Sequence, residues 1–267
     1  MSGSAQTENQ PVNDGEPPQP IRPLILIPTY NERENLESLS RAIAQARPDA
    51  HALIIDDNSP DGTGALADSL AASRDDRFVL HRPGKQGLGR AYLAGFAWAL
   101  AQPRGYTHVI QMDADFSHDP RYLDALIERC AGPGAADVAI GSRWVAGGGV
   151  ENWGLHRRLL SRGGSLYART ILGLTVRDVT AGFVCYRREV LERLGLEEVE
   201  ANGYGFQIEM KYRCAQLGFD LQETPIVFPD RTRGDSKMSP AIMLEAIGLV
   251  WKLRRKPVRA PADQPAL

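Results

Sequence analysis

The segment "LILIPTYNERENLESLSRAIAQA" (residues 24–46) sets the pattern for the whole chain. Its first four residues are large and aliphatic, which is typical of a strand buried on both faces. After the polar stretch "PTYNE", Leu36, Leu39 and Ile43 recur at helical spacing and predict an amphipathic helix. The segment is therefore predicted to form a strand and then a helix, with polar residues between them.

The same alternation continues along the chain. Further strands are predicted at residues 52–57, 77–82, 108–113 and 136–143, and further helices at Thr63–Ser73, Leu88–Ala101 and 121–130. Strands that alternate with helices form right-handed βαβ units, so we predict an α/β fold with a doubly wound, mainly parallel sheet flanked by helices. The pattern then becomes less regular, with a glycine-rich loop at 145–154, helices at 159–172 and 206–216, a strand at 221–229 and a final helix.

Composition limits the classes of function. The 267 residues are 43% hydrophobic and 24% charged and carry a net charge of −2, so no overall positive field favours nucleic acid as a partner. The three cysteines, Cys130, Cys185 and Cys214, are odd in number and lack the spacing of a zinc site, so we interpret them as reduced core residues. Neither a secretion signal nor a membrane-spanning apolar run is indicated.

Three polar clusters follow predicted strands: "PTYNE" (28–32), "DDNSPDGT" (56–63) and "DADFSHDP" (113–120). Ligands of such sheets bind beyond the carboxyl ends of the strands. In the third cluster, a turn at the strand's end can aim Asp113 and Asp115 into one crevice. Because carboxylates suit Mg²⁺ or Mn²⁺, which usually bind through one or two carboxylates plus substrate phosphates, this pair predicts a site for a metal and a diphosphate.

An alternative is that Asp113 or Asp115 merely caps the next helix. Asp119 followed by Pro120 already provides an N-cap and a favourable first helical residue, which favours the metal interpretation. Other phosphate sites are disfavoured, because the chain has neither GxGxxG after its first strand nor GxxxxGK[ST]. Hydride transfer and ATP hydrolysis are therefore less favoured.

Several linked motifs carry a resemblance to a known family. They are "PTYNERENL", "IIDDNSPDGT", "GLGRAY", "MDADFSH", "GSRW", "SRGGSLYAR", "GYGFQIEM" and "DRTRGDSK", in this order between residues 24 and 240. The chain resembles glycosyltransferase family 2 and, within it, the dolichol-phosphate (polyprenyl-phosphate) mannosyltransferases of the type without a transmembrane domain. The resemblance implies a GT-A fold over residues 21–238, after a disordered tail at 1–20.

The implied activity is an inverting transfer of mannose from GDP-mannose to a polyprenyl (dolichyl) monophosphate. The products would be polyprenyl-phosphate β-mannose and GDP. No general base is required, because the second pKa of a phosphomonoester is about 6 and the acceptor is largely dianionic at neutral pH. The protein must then overcome the repulsion between this anion and the departing diphosphate.

The resemblance also implies which residues bind the donor. The base and ribose would be held by Pro28, Tyr30, Glu32, Ile55 and Asp57. For Asp56 and Asp57 the alternative is a place in an Asx-rich turn, and the nucleotide role is favoured for Asp57. Asp113, Ala114 and Asp115 carry over to the metal and diphosphate site. Ser117 stands where some relatives have a glutamine ligand and is the candidate third metal ligand.

Basic residues of the family face the phosphates. Arg143, Arg231 and Lys237 match them and, with Asp113 and Asp115, complete the predicted catalytic set. The alternative for these cations is a solvated basic loop. The acceptor's phosphate would be received by Arg157, Arg158 and Arg162, which could equally be ordinary surface arginines of a helix. Gln207 and Glu209 are expected either to position the sugar or to brace the Arg231 loop.

The C-terminal helix, residues 239–256, has an apolar stripe that includes Trp251 and a basic end. This pattern favours contact with an anionic membrane surface, and the alternative is a helix docked on the core. Residues 257–267 are predicted to be a flexible tail. We expect a peripheral protein on the cytoplasmic face of the membrane, with a separate small membrane anchor protein as a possible partner.

Two other functions stay open at this point. One keeps the fold and the lipid acceptor but uses UDP-glucose or another nucleotide sugar, because donor specificity lies in details of the pocket. The other is a non-catalytic protein that binds nucleotide sugars at the membrane. The intact acidic and basic motifs favour an enzyme.

Overall fold

The computed structural model describes residues 20–132, 134–229, 240–256 and 258. The strands are β1 (Pro23–Thr29), β2 (His51–Asp56), β3 (Arg77–His81), β4 (His108–Gln111), β5 (Val138–Ser142), β6 (Gly149–Val150), β7 (Val184–Arg187), β8 (Leu221–Pro225) and β9 (Val227–Phe228). The helices are α1 (Arg33–Ala46), α2 (Thr63–Ser73), α3 (Leu88–Ala101), α4 (Leu123–Arg129), α5 (Leu155–Leu172), α6 (Arg188–Arg193), α7 (Gly203–Gln216) and α8 (Pro240–Arg255). Short 3₁₀ helices lie at Pro120–Tyr122 and Leu196–Glu198.

The central sheet has seven strands in the order β3-β2-β1-β4-β7-β5-β8. Neighbouring strands are parallel except around β7, which is antiparallel to both β4 and β5. The predicted α/β fold with a mainly parallel sheet is confirmed. The predicted strand at 221–229 is divided, because β8 ends at Pro225 and β9 pairs instead with β6 in a second, two-stranded sheet.

Both faces of the sheet are buried, which is why β1 reads as a continuous apolar run. Leu24 and Leu26 belong to the core beneath α3, α5 and α7, whereas Ile25 and Ile27 face the core beneath α1 and α4. The three cysteines are free and buried, as predicted. None of the helices in the described part of the chain combines the length and the hydropathy of a membrane span.

Several predicted boundaries differ from the structure. Helix α5 begins at Leu155 rather than at residue 159. The prediction missed this first turn because the turn is exposed and lacks the apolar spacing on which the prediction depended. Strand β4 ends at Gln111, before Asp113. The predicted tails lie outside the described residues, apart from residues 20 and 258.

Candidate active site

The carboxyl ends of β2, β1 and β4 lie side by side, because these strands are parallel neighbours. A cavity of about 990 Å³ opens at this edge of the sheet. The predicted site residues that line it are Pro28, Tyr30, Glu32, Asp57, Asp113, Ala114, Asp115, Arg143 and Arg157. Polar clusters from distant parts of the chain therefore share one cavity.

After β1, the chain presents an aromatic ring and a carboxylate to the cavity. Tyr30 is exposed, and the Nζ of Lys85 lies 4.2 Å from the centre of its ring. The backbone N–H of Glu32 donates to the Oγ1 of Thr63 at 3.0 Å, and the Nδ2 of Asn35 donates to the Glu32 Oε2 at 2.9 Å. This combination offers stacking and hydrogen-bond acceptance, which suit a nucleotide base and a ribose.

After β2, the two neighbouring carboxylates differ in surroundings. Asp56 is buried and accepts hydrogen bonds from the backbone N–H and the hydroxyl of Ser59, at 3.1 and 2.6 Å, so it belongs to the turn. Asp57 lines the cavity and forms an ion pair with Arg82. Burial raises the pKa of Asp57, and the charge of Arg82 offsets this only in part. The side chain of Ile55 is fully buried beneath α3 and does not line the cavity.

After β4, both predicted metal ligands face the cavity. The hydroxyl of Tyr92 donates to the Asp113 Oδ1 at 3.3 Å, and the backbone N–H of Asp113 donates to the Nδ1 of His118 at 2.9 Å. Burial raises the pKa of Tyr92 well above its ordinary value, so its hydroxyl keeps the proton that it donates. Because β4 ends before these residues, the alternation of a strand no longer directs the two carboxylates to opposite faces.

Ser117 holds Asp115 rather than facing the cavity. Its backbone N–H and its hydroxyl donate to the Asp115 Oδ1, at 3.1 and 2.5 Å, across a turn in which Phe116 has a φ of 60°. The Ser117 side chain is buried and does not line the cavity.

Within the described residues, no group of three or more acidic, histidine or cysteine side chains is arranged to hold a metal. Asp119 accepts the Arg121 N–H at 2.9 Å, so the predicted N-cap is confirmed.

Arg143 is fixed by a buried carboxylate. Its Nε and Nη2 donate to the two oxygens of Asp178, both at 2.7 Å, and its backbone N–H donates to Asp178 at 3.0 Å. Burial alone would raise the pKa of Asp178, but the charge and hydrogen bonds of Arg143 outweigh it and lower this pKa. Asp178 therefore remains an anion that orients Arg143 at the cavity wall.

The three predicted acceptor arginines have different positions. Arg157 lines the cavity, and its guanidinium lies 3.9 Å from the centre of the Trp153 ring. The guanidinium of Arg162 lies 5.5 Å from the Trp144 ring. Arg158 donates to the backbone oxygen of Val150 at 2.9 Å and so ties α5 to β6.

The cavity extends between α5 and α8. Its walls there include Leu160, Tyr167 and Ala168 from α5 and Leu249 and Val250 from α8. Three glycines of these helices, Gly163, Gly164 and Gly248, also line it, and a Cβ at any of them would meet no atom within 4 Å. This part of the cavity is mostly apolar and suits a hydrocarbon chain.

The described end of α8 shows features of both predicted alternatives. Val250 and Leu253 are buried against the core, as in a docked helix, whereas Trp251 is exposed. Lys252 and Lys256 pair with the exposed Glu200 beside the cavity. The helix is therefore docked on the core and still presents an aromatic side chain and cations to solvent.

Gln207 and Glu209 differ in role. Glu209 accepts the backbone N–H groups of Glu200 and Ala201, at 3.2 and 2.8 Å, and pairs with Arg213, so it braces the 200–201 segment. Gln207 lines the cavity. Arg231 and Lys237 lie outside the described residues.

Four residues at this site had no role predicted from the sequence: Arg82, Lys85, Tyr92 and Asp178. Lys85 had a local signal, because it stands between Gly84 and Gly87 in the loop that follows β3. The other three act through partners at least 21 positions away, such as Asp113 for Tyr92, and local periodicity cannot reveal such contacts.

The chain is similar to a known protein family and to characterised relatives. The family described as "Glycosyl transferase family 2" matches residues 24–195. A polyprenol monophosphomannose synthase from Mycolicibacterium smegmatis is 48% identical over 253 residues, which cover 92% of this chain and 94% of that protein. An undecaprenyl-phosphate mannosyltransferase from Micrococcus luteus is 47% identical over 227 residues, covering 85% of this chain and 91% of that protein.

Solved structures share the fold at lower identity. Glucosyl-3-phosphoglycerate synthase from Mycobacterium tuberculosis, in complex with Mn²⁺, UDP and phosphoglyceric acid, has a TM-score of 0.65 and 19% identity over 89% of this chain and 80% of that chain. A mannosyltransferase from Pyrobaculum calidifontis, in complex with GDP-Man and Mn²⁺, has a TM-score of 0.59 and 17% identity over 94% of this chain and 69% of that chain. These likenesses concern the fold.

Proposed function

The chain belongs to glycosyltransferase family 2, and from this premise we propose that it transfers mannose from GDP-mannose to a polyprenyl monophosphate. Two relatives that are about half identical over most of their length are named for mannosyl transfer to such lipids. The observation that carries the proposal is the single cavity that joins the carboxylates after β4 to the arginine and the apolar wall of α5.

The donor would occupy the end of the cavity near β1 and β2. Tyr30 offers a face for the base, and Glu32 and Asp57 offer acceptors for the hydrogen-bond donors of a base or ribose. Lys85, beside Tyr30, adds a cation on the same wall. Asp113 and Asp115 would then lie at the diphosphate.

The donor set of Asp113 and Asp115 fits a divalent cation, because both supply hard oxygen ligands and hydrogen bonds hold both in place. Either Mg²⁺ or Mn²⁺ would suit. Such an ion, when bound, would offset the charge of the departing diphosphate. Tyr92 and Ser117 would keep the two carboxylates oriented toward the cavity.

The acceptor would lie on the α5 side. Its phosphate would face Arg157 and Arg143, and its hydrocarbon chain would follow the apolar walls between α5 and α8. Arg157 would draw the acceptor's dianion toward the sugar, where it attacks the anomeric carbon from the face opposite GDP and inverts it. The exposed Trp251 and the basic end of α8 support binding at a membrane surface.

A direct assay tests this function. The protein is incubated with labelled GDP-mannose or UDP-glucose, a short polyprenyl phosphate, and Mg²⁺ or Mn²⁺, and the lipid products are extracted. We expect labelled lipid from GDP-mannose in the presence of metal. If only UDP-glucose gave labelled lipid, UDP-glucose and not GDP-mannose would be the donor. If neither donor gave labelled lipid, the proposed function would be refuted.

A further inference from the structure

Three arginines and two tryptophans form one stack beside the cavity. Arg157 lies 3.9 Å from the ring of Trp153, and Arg143 lies 5.6 Å from that ring and 5.5 Å from the ring of Trp144. Arg162 also lies 5.5 Å from the ring of Trp144. The order is therefore Arg157, Trp153, Arg143, Trp144, Arg162, which we call the Arg–Trp stack.

This arrangement reduces the cost of placing like charges close together. Adjacent guanidinium groups repel, but the negative face of an indole attracts a cation that lies within about 6 Å of it. Trp153 therefore attracts Arg157 and Arg143 at the same time. Asp178 pairs with Arg143, and the Arg–Trp stack adds cation–π contacts to both arginines at the wall where they line the cavity.

Hydrogen bonds within the described part of the chain do not account for the two tryptophans. The indole N–H groups of both Trp144 and Trp153 are buried and have no hydrogen-bond partner among the described residues. Buried tryptophans usually find such a partner, and an unpartnered buried N–H costs stability. The contribution of these side chains is thus their aromatic faces, and phenylalanine should replace them better than an aliphatic residue of similar size.

We propose that Trp153 and Trp144 are positioning residues for the phosphate of the acceptor. Trp153 holds the guanidinium group of Arg157, and the two indoles support Arg143, which Asp178 also orients. The inference rests on the proposed function, because the anion concerned is the phosphate monoester of the lipid. The two tryptophans act through the arginines and have no role in binding the nucleotide.

The test compares leucine and phenylalanine at each tryptophan. Dissociation constants of farnesyl phosphate and of GDP are measured by calorimetry for W153L, W153F, W144L and W144F, and the acceptor KM and kcat are measured with GDP-mannose. The leucine variants should weaken farnesyl phosphate binding and raise the acceptor KM by about tenfold, which corresponds to about 1.4 kcal/mol. The phenylalanine variants should stay within about threefold of the original protein, and GDP affinity should not change.

A double variant tests whether Trp153 acts through Arg157. If it does, W153L should weaken farnesyl phosphate binding less in the Arg157→Ala background than in the original protein, because only the longer contact of Trp153 with Arg143 remains there. Additive losses would overturn the proposal, as would unchanged farnesyl phosphate binding in the leucine variants. It would also fail if phenylalanine were as harmful as leucine, or if GDP affinity fell equally.

The binding measurements separate this inference from the proposed function. Farnesyl phosphate binding needs no sugar donor. If the original protein bound farnesyl phosphate but transferred no mannose, the proposed function would fail, and the leucine and phenylalanine variants would still decide the role of the two tryptophans.

Discussion

At the scale of single residues, the two carboxylates after β4 are held by different neighbours. Asp113 is held by the buried hydroxyl of Tyr92, and Asp115 by the backbone and hydroxyl of Ser117. Each carboxylate uses one oxygen, Oδ1, in these contacts. The orientation of the pair therefore depends on two residues that do not themselves line the cavity.

Replacing Asp115 by alanine should abolish metal-dependent transfer. The loss of one of two carboxylates at the charged centre should lower kcat by roughly a hundredfold or more. The measurement is mannosyl transfer as a function of Mn²⁺ concentration. Asp119→Ala is the matched control, because Asp119 caps the next helix and its loss should lower the melting temperature slightly without affecting turnover. Near-normal turnover of D115A would remove Asp115 from the site.

Replacing Tyr92 by phenylalanine should have a smaller effect. The change removes only the hydroxyl that donates to Asp113, so kcat should fall by about threefold to tenfold, and the free energy of unfolding by about 1 kcal/mol. Steady-state kinetics measure the change in kcat, and urea unfolding measures the change in the free energy of unfolding. Tyr106→Phe is the control, because the Tyr106 side chain is also buried and its hydroxyl contacts the Nδ1 of His51 at 2.9 Å, away from the cavity. Equal kinetic effects of the two changes would contradict the role of Tyr92.

At the scale of elements, α5 combines an arginine-bearing segment with a segment of small residues. Its N-terminal part carries Arg157 and Arg162 of the Arg–Trp stack. Gly163 and Gly164 follow directly and open space between α5 and α8. Glycine is unfavourable inside a helix by about 1 kcal/mol, so two in succession favour a role for the space that they leave.

Replacing Gly164 by leucine should fill this space. The helix should not be destabilised, because leucine has the higher helical propensity and its Cβ meets no neighbour. Transfer to a long polyprenyl phosphate should fall by roughly tenfold, whereas transfer to a short one, such as farnesyl phosphate, should change little. Kinetics with both acceptors measure the difference. Thr170→Leu, at an exposed position of the same helix that does not line the cavity, is the control. Equal effects on both acceptors would place the lipid chain elsewhere.

At the scale of the whole molecule, charged groups are buried between the sheet and α7. Lys211 is fully buried, and its Nζ donates to the backbone oxygen of Ala181 at 2.7 Å, next to the segment that carries Asp178. Burial lowers the pKa of Lys211 to about 7. Protonation of this lysine therefore favours the unfolded chain, and the stability of the fold depends on pH near and above neutrality.

This pKa predicts a pH dependence of stability. An unfolded lysine has a pKa of about 10.4. Between the two values the unfolded chain binds more protons at this residue, so the free energy of unfolding should rise with pH, by at most about 1.4 kcal/mol per pH unit. The free energy of unfolding is measured by urea unfolding at about pH 7 and about pH 9, for the original protein and for Lys211→Met. The stability of the original protein relative to the variant should increase at the higher pH, and an unchanged difference would contradict the lowered pKa.

Features that depend on residues close together in the sequence were predicted, whereas features that depend on contacts between distant segments were not. Strand β1 and helix α1 were predicted because their apolar residues repeat at local spacing. Asp113 and Asp115 were predicted because they stand at the end of a strand. The division at Pro225 and the antiparallel direction of β7 were not predicted, because strand pairing depends on partners from distant segments.

By itself the sequence determined the alternation of strands and helices from β1 to β5 and the acidic pair after β4, since hydrophobic periodicity and residue type are local properties. Only the tertiary structure decided that Asp178 holds Arg143 and that two tryptophans separate three arginines. The physical reason is that these contacts join side chains brought together by the sheet order and by the packing of α5, which no local pattern specifies.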